Sequence, residues 1–132
     1  MPADAPELPA FTPREDVDTY FIPRLETPEG APEGARLFDP TIHVQGAWNE
    51  GEQHLAASAG LMVHCIEQHE PRDDMQLAKI TFDVLGFIPL RPTLVSVRTI
   101  RPGRTIELVE ATFSVDGRTL SLIHISEPTR RT

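Results

Sequence analysis

An α+β fold is predicted, in which one curved antiparallel sheet wraps around a single central buried helix. Two patterns carry this expectation. Residues 49–70 hold a run in which Leu55, Ala56, Ala57, Ala59, Leu61, Met62, Val63, Cys65 and Ile66 go round every side of a helical wheel. A helix apolar on all sides is a buried helix. Downstream the period changes to two, with strands that each carry one apolar face. A helix and the apolar face of a sheet bury each other, and that pairing defines a single two-layer domain.

The elements follow in chain order. Residues 1–15 are acidic and Pro-rich and are expected to be disordered; no signal peptide is visible there. Residues 19–23 and 36–44 form one or two short strands, interrupted by Pro- and Gly-rich loop. Asn49 is a suitable N-cap for the helix, and Glu52 three residues later makes a capping-box-like pair. Glu50 and Glu52 suit the positive end of the dipole, His69 suits the negative end, and Pro71 stops the helix. The run is too short, and too interrupted by His64 and Gln68, to span a bilayer.

From residue 76 to 85, Ala78, Ile80, Phe82 and Val84 alternate with Leu77, Lys79, Thr81 and Asp83, a strand with one buried face. Gly86 and Pro89 loosen it. Residues 93–100 are β-branched and alternating, Arg101-Pro102-Gly103-Arg104 supplies a turn, and residues 105–115 alternate again. Asp116-Gly117 is a type I′ hairpin signal. Three consecutive antiparallel strands joined by short turns, a meander, are expected.

The densest polar chemistry lies in residues 43–54, which open directly onto the helix, so a reactive site is expected at the helix start. His43, His54, His64 and His69 lack the tight spacing with carboxylate or Cys partners that a metal site needs, and no metal or cofactor is expected. His64 and Cys65 are adjacent on a helix and point apart, so they are not a catalytic pair; Cys65 is expected as a small buried apolar residue.

Several blocks together resemble a known family. They are Gly46-Ala47-Trp48, the acidic linker 49–52, Gln53-His54, the small-residue helix 55–67, the strand 77–85, and above all Arg101-Pro102-Gly103-Arg104 followed by Glu107-Leu108-Val109-Glu110-Ala111. They resemble the thioesterase-like superfamily of hotdog-fold acyl-CoA thioesterases, in the group with two hotdog units in one chain, over half to two-thirds of the sequence. The resemblance implies a single hotdog unit over residues 16–119, the N-terminal one. It also implies hydrolysis of acyl-CoA to free acid and CoA, a place in lipid metabolism, and pairing with a second hotdog unit within the full-length protein or in a homodimer. One departure stands out: many relatives follow the Gln-His pair with two glycines, where this chain has Leu55-Ala56. Glycines there allow close approach of substrate to backbone. Their absence favours an acyl-binding or structural unit without catalysis of its own. An enoyl-CoA hydratase is a further alternative, disfavoured because no Asp followed at helical spacing by His opens the helix; Asn49 and His54 are the nearest pair.

Within the resemblance, a backbone N–H at the helix start is the oxyanion donor, with Leu55, Ala56 and Ala57 as candidates, since helix N-termini carry unpaired N–H groups and a positive dipole end. Gln53 and His54 flank them. Glu50 or Glu52 is the candidate base, its alternative role being helix capping; His54 is either a site residue or a polar residue fixing the turn. Trp48 is expected to pack as a lid over the helix start or to line the acyl tunnel. Arg101 and Arg104, with Arg98, are candidates for the CoA phosphates, against a role as soluble turn residues.

The last stretch reads differently. Residues 120–130, Leu-Ser-Leu-Ile-His-Ile-Ser-Glu-Pro-Thr-Arg, resemble the translation of a transposase-type sequencing-library adapter. Residues 120–132 are therefore expected to be non-native, with the natural reading frame leaving the sequence near Thr119 and a second unit missing. The net charge is −8; without Glu127, Arg130 and Arg131 it is −9, from 10 basic and 19 acidic residues. This balance argues against nucleic-acid binding, and one cysteine, unable to form an internal disulfide, fits a reduced cytoplasm.

Overall fold

A computed structural model describes residues 10–70 and 73–128 of the 132-residue chain, with side chains through Ser121. Pro71, the expected helix stop, lies outside the described residues, as do residues 1–9 of the N-terminal segment. The strands are β1 (Phe21–Pro23), β2 (Arg36–Pro40), β3 (Lys79–Val84), β4 (Thr93–Arg101), β5 (Ile106–Val115) and β6 (Arg118–Pro128), with the helix α1 (Leu55–Glu67) between β2 and β3. All six form one antiparallel sheet in the order β1-β2-β4-β5-β6-β3.

The helix lies on β4 and β5. Alternation on β5 sends Val109, Ala111, Phe113 and Val115 to it, and β4 adds Val95. The helix answers with Leu61, Met62, Cys65 and Ile66, while Phe38, Ile88 and Leu120 close the cluster. Register breaks in β4 at Thr99/Arg101 and at Phe113/Ser114 mark bulges, which strengthen twist and bend a sheet round its contents. Asp116 and Gly117 both take positive φ, 50° and 81°, as a type I′ turn demands. Arg91 Nε donates to Asp116 Oδ2 at 2.7 Å and pins that turn to the loop before β4.

Three expectations are corrected. First, α1 starts at Leu55 and ends at Glu67, inside the expected 49–70. Second, it is not buried all round: Leu55, Ala56, Gly60, His64 and Glu67 face solvent. The apolar character of that open face comes from Leu55 and from small residues, which a helical wheel counts as core. Third, the strands after the helix are not a meander in chain order. β3 lies at the far edge, with β6 as its strand neighbour, and β4 pairs with β2 and β5. The true meander is β4-β5-β6. β3 lies beyond the helix, so Phe82 and Val84 remain exposed and only Ile80 of its apolar face is half-buried.

Phe113 is fully buried at the centre of the cluster. Phe113→Ala is expected to lower unfolding free energy by about 3–5 kcal/mol in urea titration, and Gly117→Val, which forces a β-branched side chain to φ 81°, to lower it by about 1 kcal/mol or more.

Candidate active site

The helix start is built by a fold-back of the chain. His54 N donates to Val44 O at 2.6 Å, Gly46 N donates to Glu52 O at 2.8 Å, and Gln45 bridges Gln53. On the other side Gln53 N donates to Ile88 O and Leu90 N to Gly51 O. Residues 51–54 are thus an extended segment between two neighbours and cannot be helical. Asn49 is therefore not the N-cap of α1. Its Oδ1 accepts from Gly51 N at 2.8 Å and its carbonyl from Glu52 N at 3.2 Å, closing a turn. The Asn49 to Glu52 pair carries the same residue types in a helix cap and in an Asx turn.

The cap is His54. Its Nδ1 accepts from Ala56 N at 3.2 Å, and its carbonyl accepts from Ala57 N and Ser58 N. Of the three candidate oxyanion donors, Ala56 and Ala57 are therefore occupied. Among the described residues, Leu55 N–H has no hydrogen-bond partner. A neutral imidazole that accepts at Nδ1 carries its proton on Nε2, so His54 presents a donor.

Gln53 turns away from this surface. Its amide nitrogen donates to Pro89 O at 3.0 Å and to Thr93 Oγ1 at 2.8 Å, while its oxygen accepts from Ser58 Oγ at 3.0 Å. The Pro89 carbonyl only accepts, which fixes the amide's orientation. Buried and fully satisfied, Gln53 joins the helix, β4 and the loop before it. Ser58 and Thr93 complete this network; each is a polar residue in an apolar pattern, and only the fold-back brings them together.

The other predicted residues are dispersed. Glu50 is exposed in the linker, with its carbonyl held by Gln45 Nε2 at 3.1 Å. Trp48 is fully exposed and covers nothing within this unit, so it is not a lid on its own helix start. Arg101 stands at the far end of β4 from Thr93, and Arg104 in the turn beyond. At about 3.3 Å per residue, the strand puts roughly 26 Å between Arg101 and the Thr93 end. Arg98 Nε donates to Glu110 Oε1 at 3.0 Å.

An open cavity of about 310 Å³ at the helix start is lined by Tyr20, His43, Gln45, His54, Ala56 and Ala57. A larger one, about 620 Å³, lies at the other end of the helix against Arg36, Cys65, His69 and Thr99. Burial pushes the Cys65 thiol up to about 11, so it is protonated and unreactive at neutral pH. Among the described residues no three His, Cys, Asp or Glu side chains converge as a metal site would require, and no helix is long and apolar enough to cross a membrane.

A central helix held in a curved antiparallel sheet of this order defines a hotdog unit. Residues 44–126 match the model of the acyl-CoA thioesterase N-terminal domain, and the chain belongs to that family. Among solved structures it is similar to a thioesterase from Thermus thermophilus complexed with coenzyme A and Zn, at TM-score 0.62 and 18% identity, covering 74% of this chain and 78% of that one. A Bacillus halodurans protein solved with CoA matches at TM-score 0.61 and 14% identity over 73% and 66% of the two chains. A hotdog-fold protein of unknown function from Alicyclobacillus acidocaldarius matches at TM-score 0.63 and 16% identity over 77% of this chain but 38% of its own. No curated protein sequence matches the chain.

Gln53→Ala is expected to cost about 1–3 kcal/mol of stability by removing the amide that bonds Pro89 O, Thr93 Oγ1 and Ser58 Oγ. Gln53→Glu is expected to cost more, since a carboxylate has no N–H for Pro89 O. Urea midpoints of the two variants and of the parent chain check this.

Proposed function

We propose that this chain is the N-terminal hotdog unit of an acyl-CoA thioesterase, which hydrolyses acyl-CoA to free acid and CoA. The observation that carries this reading is the unpartnered Leu55 N–H at the start of a thirteen-residue helix. A thioester carbonyl placed there gains a hydrogen bond and the positive end of the helix dipole as charge develops on its oxygen. His54 Nε2–H is a second donor beside it. Family membership supports acyl-CoA as the substrate class, and so do the neighbours solved with CoA. Glu50 and the Arg101 and Arg104 pair enter this reading only across a second unit, because within one unit neither lies at the helix start.

A second hotdog unit belongs on the open side. Exposed Trp48, Leu55, Phe82, Val84, Leu85 and Phe87, together with the small-residue face of α1, are apolar surface that a lone unit leaves in water. The partial coverage of the Alicyclobacillus protein leaves room for such a unit. Residues 120–132 are read as adapter-derived within the same proposal; sequencing the genomic locus past the Thr119 codon tests this, and an uninterrupted native Leu120–Arg130 would refute it.

One observation favours an acyl-binding unit without catalysis: Ala56 N–H is already capped by His54, and Leu55 and Ala56 carry side chains where the resemblance implies glycine in many relatives. Leu55→Pro separates the two. Proline suits the first helical position, and His54 at φ −71°, ψ 125° already has the conformation that precedes proline. The variant removes the one open N–H and keeps the fold. With acyl-CoA and a thiol reagent, to which buried Cys65 is inert, kcat is expected to fall about 10²–10³-fold, while Leu55→Ala retains activity. Equal turnover in Leu55→Pro and the parent would refute the oxyanion assignment; acyl-CoA binding without thiol release would establish the non-catalytic unit.

A further inference from the structure

In the sequence His43 heads the polar segment 43–54 but has no assigned role. The fold places it at the helix start. Val44 and Gln45 run alongside His54 and Gln53, so His43, just before Val44, and Leu55, just after His54, stand at the same end of one short ladder. His43 and His54 line the same 310 Å³ cavity, with Tyr20 and Gln45. A smaller cavity of about 230 Å³, lined by Asp18, Thr19, Tyr20 and His43, adjoins it at Tyr20 and His43.

The ring of His43 is oriented by the N-terminal strap. Its Nε2 lies 2.7 Å from Val17 O. A carbonyl oxygen only accepts, so Nε2 carries the proton and Nδ1 of the neutral ring is left as an acceptor. The strap is itself fixed: Ile42 N donates to Arg14 O, Thr41 N to Tyr20 O, and the buried Thr41 hydroxyl donates to Thr19 O at 2.6 Å. His54, capped at Nδ1, shows the opposite polarity, with Nε2–H outward. The two imidazoles of one cleft are thus held in complementary states, one accepting and one donating.

We propose that His43 is the general base of this cleft and His54 its donor, an inference that rests on the thioesterase reading. His43 Nδ1 takes a proton from water as the water oxygen bonds to the thioester carbonyl carbon. The oxyanion that forms meets Leu55 N–H. The C–S bond then breaks, the proton on His43 passes to the departing sulfur, and the products are the free acid and CoA thiol. This places the base on the turn before the ladder, ahead of the helix, and it assigns the strap 14–20 the task of setting its tautomer.

Two measurements on the whole chain test the proposal. The first is the ¹⁵N imidazole spectrum with and without the non-hydrolysable thioethers S-butyl- and S-decyl-CoA. It is expected to show His43 and His54 both as Nε2–H tautomers, with both rings shifted by ligand. The second is acyl-CoA turnover by His43→Gln, whose amide N–H still reaches Val17 O but offers no base. It is expected to lose about 10²–10⁴-fold in kcat with KM little changed, and His43→Gly is expected to regain turnover with added imidazole above the enzyme-free rate. Unmoved His43 resonances, an Nδ1–H tautomer, or wild-type kcat in His43→Gln would each overturn the role of His43 and leave hydrolysis standing. Ligand-shifted His43 resonances in a wild type without turnover would refute hydrolysis and the base step together, while upholding His43 as a ligand contact.

Discussion

The buried amide of Gln53 holds together three parts of the molecule that the chain introduces far apart. It donates to the loop at Pro89 and to Thr93 at the head of β4, and accepts from Ser58 in the first turn of the helix. A buried amide makes such bonds or costs stability, so the helix start can sit in one place only. Every feature of the cleft follows. Residues 51–54 are pulled straight between two neighbours, the helix begins late, and His54 rather than Asn49 caps it.

This arrangement leaves the site open on one side. The sheet covers one face of α1; the other presents Leu55, Ala56 and Gly60 to solvent. Trp48 is fully exposed, and β3 extends beyond the helix with Phe82 and Val84 uncovered. The helix start, tied to Thr93 through Gln53, and the arginines at Arg101 and Arg104 lie at opposite ends of β4. A long, two-ended ligand and a second unit both fit that separation, and neither is encoded in any single segment.

Local patterns were legible where burial and period coincide. β4 and β5 fall where alternation puts them, because each has the helix on one face. The Asp116-Gly117 turn was legible because positive φ at two successive positions admits few residue types. The start of α1 was not, since Asn49 and Glu52 serve a turn as well as a cap. The place of β3 was not either: alternation marks a strand but carries no address for its neighbour, and β6, the strand it needs, comes last in the chain. The surroundings of His43 were not legible for a related reason. Its partners are a carbonyl at Val17 and a cavity shared with His54, and neither has a sequence signature.

By itself the sequence determined the class of the domain, one helix against an antiparallel sheet, and the segment where its polar chemistry gathers. Those depend on which residues avoid water, a property of composition and short period. The tertiary structure alone decided which backbone N–H stays open, which ring nitrogens of His43 and His54 have a partner, and which of the expected residues meet. Those are settled by hydrogen-bond partners drawn from residues 17, 44, 56 and 88–93, and partners so distant in the chain become neighbours only when it folds.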